Sequence, residues 1–394
     1  MDTVIKQKID SIANCIVDKV YAQQAGESYG LYSGEWGILL FLFYYSKYSE
    51  NKQYAELAES FAETLFAQFP EKLESHTFCN GLSGVLYLFE FLRENQFIDI
   101  SAGQSNVNDY LVFKMRQDIR QQHYDFMHGA LGVGLYFLKK KTNTKYVQEL
   151  VDFLYNTAEK DTDNQIFKWK SVIDIKENIT GYNIALSHGI SSIIIFLSRV
   201  IKSDMTDKKV HEMLVGAVNY VLSQQLDVLQ FGANFPQCSV EGNNFPIKKS
   251  RLAWCYGDLG IGIALWQAGK AINKIEWGNK GLAVLLQTTQ RLSLPETYVQ
   301  EAGICHGSAG IAMIYYRMFL ETQRDEFNKT TQYWMKQTLN FAQFEDGLAG
   351  YKALTEDGWK CNYSLLTGIS GIGLVLMSFV ANTQQKWDEL FLLL

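Results

Sequence analysis

Two kinds of segment alternate along this chain. In one kind, apolar residues recur at helical spacing among polar ones: Ile5, Ile9, Ile12, Ile16 and Val20; Tyr54, Leu57, Phe61 and Leu65; Val147, Leu150, Val151 and Leu154; Val210, Leu214, Val218 and Val221. Such spacing predicts an amphipathic helix with one wet face. The other kind is apolar at nearly every position, as in Val85 to Phe89 and Ile311 to Tyr316. A helix that is apolar all round is buried on all sides. Each all-apolar run follows a G-x-x-G pair, at Gly34/Gly37, Gly81/Gly84, Gly129/Gly132, Gly257/Gly260, Gly307/Gly310 and Gly368/Gly371, with a degenerate copy at Gly189 where Ser192 replaces the second glycine. Units recurring at roughly fifty to seventy residues suit a helix pair plus its loops.

Seven alternations of half-wet and fully buried helices predict an all-α fold, an α/α toroid of about seven inner and seven outer helices. The whole chain, 1–394, is read as a single domain. Each glycine pair would open an inner helix, where glycine permits a tight turn and close backbone approach. Residues just before those glycines would then converge at one end: Asp125, His128, His188, Cys255, Cys305 and His306. Three stretches break the helical pattern, at 165–170, 234–249 and 350–362. They are read as long loops or short hairpins with a functional role.

Composition agrees and narrows the field. Hydrophobic residues make up 47% of 394 and there are only 4 Pro, which favours helices with an ample core. Net charge is −6 and no basic stripe tracks along the chain, so nucleic acid is not expected as a partner. No apolar stretch approaches the roughly 20 residues of a spanning helix, and the N-terminus lacks a secretory pattern. The six Cys show no C-x-x-C and no close pairing, which points to the reducing cytoplasm.

The chemistry concentrates in Trp254-Cys255-Tyr256-Gly257 and Cys305-His306-Gly307. Cys255, Cys305 and His306 offer two thiolates and an imidazole, a donor set suited to Zn²⁺, and three is the ligand number a catalytic zinc site keeps with one position open. Cys15 and Cys79 are read as small buried hydrophobes. His188 shares the repeat phase of His306, but a His at a helix start also serves as a structural group. Asp125 could equally be a cap or turn former. Arg251 could simply pair with a carboxylate, and His123 and His128 rival His188 for a ligand or catalytic role.

Ser187-His188-Gly189, Ala253-Trp254-Cys255-Tyr256-Gly257 and Cys305-His306-Gly307, set on repeated glycine-led helix starts, resemble the lanthipeptide cyclases, the LanC family, essentially from end to end. The resemblance implies an α/α toroid in which Cys255, Cys305 and His306 hold one zinc. It implies action on a dehydrated ribosomal precursor peptide, in which a peptide Cys adds to dehydroalanine or dehydrobutyrine and closes a (methyl)lanthionine thioether ring. His188, Asp125, Arg251 and Tyr256 match the family's catalytic positions. Two departures are Ser192 in the His188 unit and Asp258 after Gly257, where a Pro is frequent. The length leaves no room for a dehydratase, so a separate dehydratase is expected as partner, with a transporter, by analogy, at the inner membrane. Other readings are an enzyme adding a different thiol such as glutathione, and a non-catalytic zinc scaffold that binds peptides. In the scaffold Cys238, Cys361, His123 or His128 would supply a fourth ligand. A toroid hydrolase would need paired carboxylates, and none stands in the repeat phase.

Overall fold

The computed structural model describes the chain except residues 23–27, 70, 74, 100–104, 142–143, 175–178, 204, 206, 240, 242–248, 382–384 and 394. The expected long loop at 234–249 falls in part outside these described residues. The helices run α1 (Asp2–Tyr21), α2 (Glu35–Ser49), α3 (Lys52–Ala67), α4 (Leu82–Glu94), α5 (Ser105–Arg120), α6 (Ala130–Lys140), α7 (Thr144–Thr157), α8 (Ile190–Lys202), α9 (Lys208–Ser223), α10 (Val228–Phe231), α11 (Asp258–Ala271), α12 (Ile275–Thr288), α13 (Leu294–Thr297), α14 (Ser308–Thr322), α15 (Asp325–Asn340) and α16 (Ile369–Val380). Three antiparallel two-stranded hairpins interrupt them: β1 (Glu159–Asp161) with β2 (Ile166–Lys168), β3 (Ser171–Asp174) with β4 (Ile179–Gly181), and β5 (Ala353–Thr355) with β6 (Gly358–Lys360). Two of the three expected breaks in helical pattern, at 165–170 and 350–362, are therefore hairpin strands.

The alternation read from the sequence is present. Helices α2, α4, α6, α8, α11, α14 and α16 are each preceded by the predicted glycine and bury almost every residue. Helices α1, α7 and α9 bury one stripe, including Ile5, Ile9, Ile12 and Ile16, then Val147, Leu150, Val151 and Leu154, then Val210, Leu214, Val218 and Val221. Val20 is only half-buried, whereas Lys19 is buried, its ammonium 2.8 Å from Glu35 at the first turn of α2. Placing a cation on the apolar stripe is tolerated because its charge is paired.

None of the seven glycine-led helices has a side-chain N-cap. The orphan N–H groups of their first turns need other partners. In six of them the first helical residue donates to the carbonyl seven residues earlier: Glu35 to Ser28, Leu82 to Ser75, Ala130 to His123, Ile190 to Asn183, Ser308 to Glu301 and Ile369 to Asn362, at 2.8–3.2 Å. The preceding segment thus folds back along the helix start. A Cβ at Gly189 would lie 2.3 Å from the Asn183 carbonyl oxygen, so only glycine fits this return.

Contacts divide the chain into two compact units, Met1–Val107 with Val299–Leu393, and Asn108–Tyr298. In the first, α2 packs on α1, α3 and α16, and α14 packs on α15 and α16. Its C-terminal segment is held by the buried Arg317 guanidinium, which donates to both Asp388 carboxylate oxygens at 2.6 and 2.7 Å. In the second, α8 packs on α6, α9 and α11, and α11 on α12. Trp169, just after β2, is buried and donates to the Leu154 carbonyl at 2.8 Å, and its own carbonyl accepts from Tyr124 at 3.2 Å. The hairpin region thereby ties α7 to the turn that carries Asp125. Among the described residues no helix is long and apolar enough to cross a membrane.

Candidate functional site

In the unit Asn108–Tyr298, three helix starts contribute. Before α6, the Asp125 carboxylate closes its own turn by accepting from the His128 backbone N–H at 2.8 Å. Its other oxygen lies 2.7 Å from His188 Nδ1, just before α8. Asp125 is thus the turn former the sequence allowed and a partner of His188 at once. Burial works against ionisation of Asp125, but the His188 hydrogen bond and the neighbouring positive charges outweigh it and hold the carboxyl below its ordinary range. For His188, burial favours the neutral ring, yet the Asp125 hydrogen bond and charge, with a contribution from Cys255, raise its pKa above the usual value. Because Nδ1 faces Asp125, Nε2 is the ring atom left to exchange a proton.

His188 is also fixed by its surroundings. Its ring stacks on His128 with centroids 5.6 Å apart, and tilts against Tyr256 at 6.1 Å. Ser187 donates through both its backbone N–H, at 3.2 Å, and its hydroxyl, at 3.1 Å, to the carbonyl of Cys255. The segment bearing His188 is therefore clipped to the segment bearing Cys255. Asn183 donates to the Tyr256 hydroxyl at 3.4 Å. Burial is the main reason the Tyr256 phenol is pushed up, which keeps it a hydrogen-bond donor at neutral pH.

The turn before α11 is built unlike the other six. Gly257 has φ +92°, and a Cβ there would sit 2.6 Å from the Arg251 carbonyl oxygen. The next residue, Asp258, is fully buried. It accepts from the Asn234 and Phe235 backbone N–H groups, both at 2.9 Å, and from Arg291 at 3.2 Å, while Arg291 donates to the Ser250 carbonyl at 2.7 Å. The Asp258 departure noted in the sequence is thus a brace for the turn that carries Arg251, Cys255 and Tyr256. Arg251 is half-buried, and among the described residues its guanidinium has no carboxylate partner. The simple ion-pair reading of Arg251 is not met.

In the unit containing Val299–Leu393, Cys305 and His306 stand at the start of α14. The Leu366 carbonyl accepts from both Ile304 and Cys305 N–H groups, at 2.9 and 3.0 Å, which fixes the Cys305 backbone. His306 Nε2 lies 3.2 Å from a carboxylate oxygen of Glu301, a residue 1% exposed. The other Glu301 oxygen accepts from the Leu354 N–H at 2.6 Å. The sequence reading passed over Glu301, although a repeat-phase signal was available: it stands six residues before Gly307, as Asn183 stands before Gly189 and Arg251 before Gly257.

Ligand atoms of Cys255, Cys305 and His306 lie within 4.8 Å of one another, and among the described residues this is the group of His, Cys, Asp or Glu that could hold a metal ion. Cys238, Cys361, His123 and His128 are not in it. His123 instead lies 3.6 Å from the Asp118 carboxylate, which raises its pKa. Cys361 is exposed and Cys79 buried, the latter donating to Asn80 at 3.4 Å. At Ser192, the hydroxyl accommodates itself by donating to the Gly189 carbonyl at 2.7 Å, and Gly189 keeps the same extended conformation as the other helix-opening glycines.

Comparison with known proteins places this geometry in context. The family described as Lanthionine synthetase C-like protein matches residues 26–392. Among solved structures, nisin cyclase superposes with a TM-score of 0.76 at 19% identity, covering 99% of this chain and 97% of that one. The chain shares that protein's fold, an α/α toroid. An α-1,6-mannanase from Salegentibacter sp. HEL1_6 is matched at TM-score 0.45 and 11% identity, over 93% of this chain and 98% of that one.

Proposed function

Because the chain belongs to the lanthionine synthetase C-like family, we propose that it is a zinc-dependent cyclase that closes thioether rings in a dehydrated ribosomal precursor peptide, all 394 residues acting as one domain. The observation that carries this reading is the His188–Asp125 pair at 2.7 Å, held on a segment hydrogen-bonded directly to the carbonyl of Cys255. A proton carrier and a thiolate ligand are thereby locked in one backbone arrangement.

The donor set fits zinc. Two thiolates would cancel the charge of the ion, and Cys255, Cys305 and His306 would hold it. Three protein ligands leave a fourth position for the peptide thiol. Zinc bound there would lower the thiol pKa, so that the peptide Cys is a thiolate near neutral pH.

The chain's own residues do the rest. As the C–S bond forms at the β-carbon of the dehydro residue, the π electrons move onto the neighbouring carbonyl and leave an enolate. Arg251, with no carboxylate partner among the described residues, would offset that charge. His188 delivers a proton from Nε2 to the α-carbon, which completes the thioether, and Asp125 orients the ring from Nδ1 and sustains its charged form. Tyr256, against the His188 ring and held by Asn183, positions His188 and offers its hydroxyl as a donor. The dehydro residues require a separate dehydratase to act first, in the same cytoplasmic compartment, and a membrane transporter is a partner to test beside it.

The test is metal content and ring closure, measured together. Wild type should carry about one zinc per chain, and Cys255→Ala or Cys305→Ala should lose metal and activity. His188→Asn should keep zinc and lose cyclisation by about 10²–10⁴-fold, the span of general acid–base catalysis. Free-thiol counting and mass spectrometry on a dehydrated Cys-containing peptide read the ring directly. Full activity in His188→Asn would remove that residue from the mechanism, and a folded wild type with no zinc after reconstitution would remove the metal.

A further inference from the structure

We propose that Glu301 is the positioning residue for His306: its buried carboxylate, 3.2 Å from Nε2, would accept the Nε2–H as the imidazole turns to bind and so make Nδ1 the ring atom that faces the metal. The inference rests on the zinc reading above and adds a residue which that reading does not use.

Three observations support it. The carboxylate is 1% exposed and 3.2 Å from His306 Nε2. Burying a carboxylate is costly without partners, so its direction is not incidental. The second oxygen is tied to the Leu354 N–H in strand β5 at 2.6 Å, and the Glu301 backbone carbonyl accepts from Ser308 at the start of α14 at 3.0 Å. Glu301 is thus anchored through its backbone carbonyl and one carboxylate oxygen, and the β5–β6 hairpin reaches His306 through it.

The third observation is the repeat. Six residues before the helix-opening glycine, other units place a short side chain that accepts from the backbone N–H two residues on: Ser28 from Gly30 at 3.3 Å, Ser75 from Thr77 at 3.2 Å, Asn183 from Ala185 at 2.9 Å and Asn362 from Ser364 at 2.7 Å. At the unit that bears Cys305-His306, the same position holds a Glu whose longer side chain passes this turn and meets the imidazole. A carboxylate behind a ligating imidazole fixes tautomer and ring orientation and raises ligand basicity, and losing one typically costs 10–100-fold in metal affinity.

Zinc affinity of the full chain, measured by chelator competition, tests this with Glu301→Gln, which keeps an acceptor for Leu354 and removes the charge. The expected result is about a 10–100-fold weaker zinc affinity with the metal-free variant still folded by circular dichroism. The Co²⁺-substituted variant should keep its thiolate charge-transfer bands, because Cys255 and Cys305 still bind. A second measurement needs no variant: in zinc-loaded wild type labelled with ¹⁵N-histidine, His306 should show a protonated Nε2 and a metal-bound Nδ1. Unchanged affinity in folded Glu301→Gln, or ligation through Nε2, would overturn the assignment of Glu301 while leaving the zinc reading intact. A folded wild type that takes up no zinc would overturn both.

Discussion

Asp258→Ala should be among the most destabilising single substitutions outside the metal ligands. Asp258 is fully buried and Arg291 nearly so, with side-chain exposures of 0% and 8%. Burial pushes the Asp258 carboxyl above its ordinary value even though Arg291 and two backbone N–H groups oppose the shift, so the intact ion pair contributes little net stability. Removing one partner is different, because it leaves the Arg291 charge stranded and the Asn234 and Phe235 N–H groups without an acceptor. Breaking a buried pair costs about 3–5 kcal/mol. Against a typical total of about 5–15 kcal/mol this is a large fraction. With a urea dependence of about 3 kcal/mol per M, the midpoint should fall by about 1–1.7 M. Tryptophan fluorescence of the metal-free protein in urea reads that shift. The double variant Asp258→Leu/Arg291→Met, which removes both charges, should recover more than half of the loss. A loss below about 1 kcal/mol, or strict additivity in the double variant, would refute the view that this pair braces the 250–257 turn.

Two further predictions concern the same unit. Gly257→Ala must accept φ +92° and a Cβ 2.6 Å from the Arg251 carbonyl, so strain of about 1–3 kcal/mol and a weakened zinc affinity are expected, checked by urea unfolding and metal titration; wild-type values in both would show that the turn relaxes freely. Asp125→Asn removes the contact that lifts His188 above its usual pKa of about 6.5 against the opposing effect of burial. Protonated His188 persists to higher pH in the wild type, so the activity of a general acid is lost only as pH rises through that raised value, and the alkaline limb of the pH–rate profile should move to lower pH in the variant. A limb that stays in place would mean Asp125 does not tune His188.

Most of the architecture was legible because it follows from two periodicities that a single sequence displays. Ile5, Ile9, Ile12 and Ile16 mark a stripe and Ile311 to Tyr316 mark a fully apolar helix, and both are buried as their spacing requires. Cys255, Cys305 and His306 stood out for the same reason, since each stands one or two residues before a repeated glycine, and they form a group that could hold a metal ion. The remainder depended on partners that periodicity does not specify. Lys19 falls on the apolar stripe, and its charge there is paired with Glu35, sixteen residues away. The hydroxyl of Ser192 stands in for a glycine by bonding the Gly189 carbonyl, a local exchange invisible until the backbone is in place.

Asp258 and Glu301 are the instructive omissions, and they were missed for different reasons. Asp258 looked like a loss of a helix-starting Pro, whereas its carboxylate gathers Asn234, Phe235 and Arg291, contacts of 24, 23 and 33 residues in sequence separation. No local rule predicts those partners. Glu301, by contrast, occupies a phase that the sequence does expose. Position six before the glycine reads Ser28, Ser75, His123, Asn183, Arg251, Glu301 and Asn362. Ser and Asn there close a turn with their own backbone, as short polar side chains do. The units that abandon the short turn former are those preceding α6, α11 and α14, which also carry Asp125, Cys255 and Cys305. In a repeat whose geometry is constant, a position that gives up its structural residue in only some units has been released for other work, and that departure marks the turns before α6, α11 and α14; the turn before α8 carries His188 while keeping Asn183, so there the chemistry rides on an unaltered scaffold.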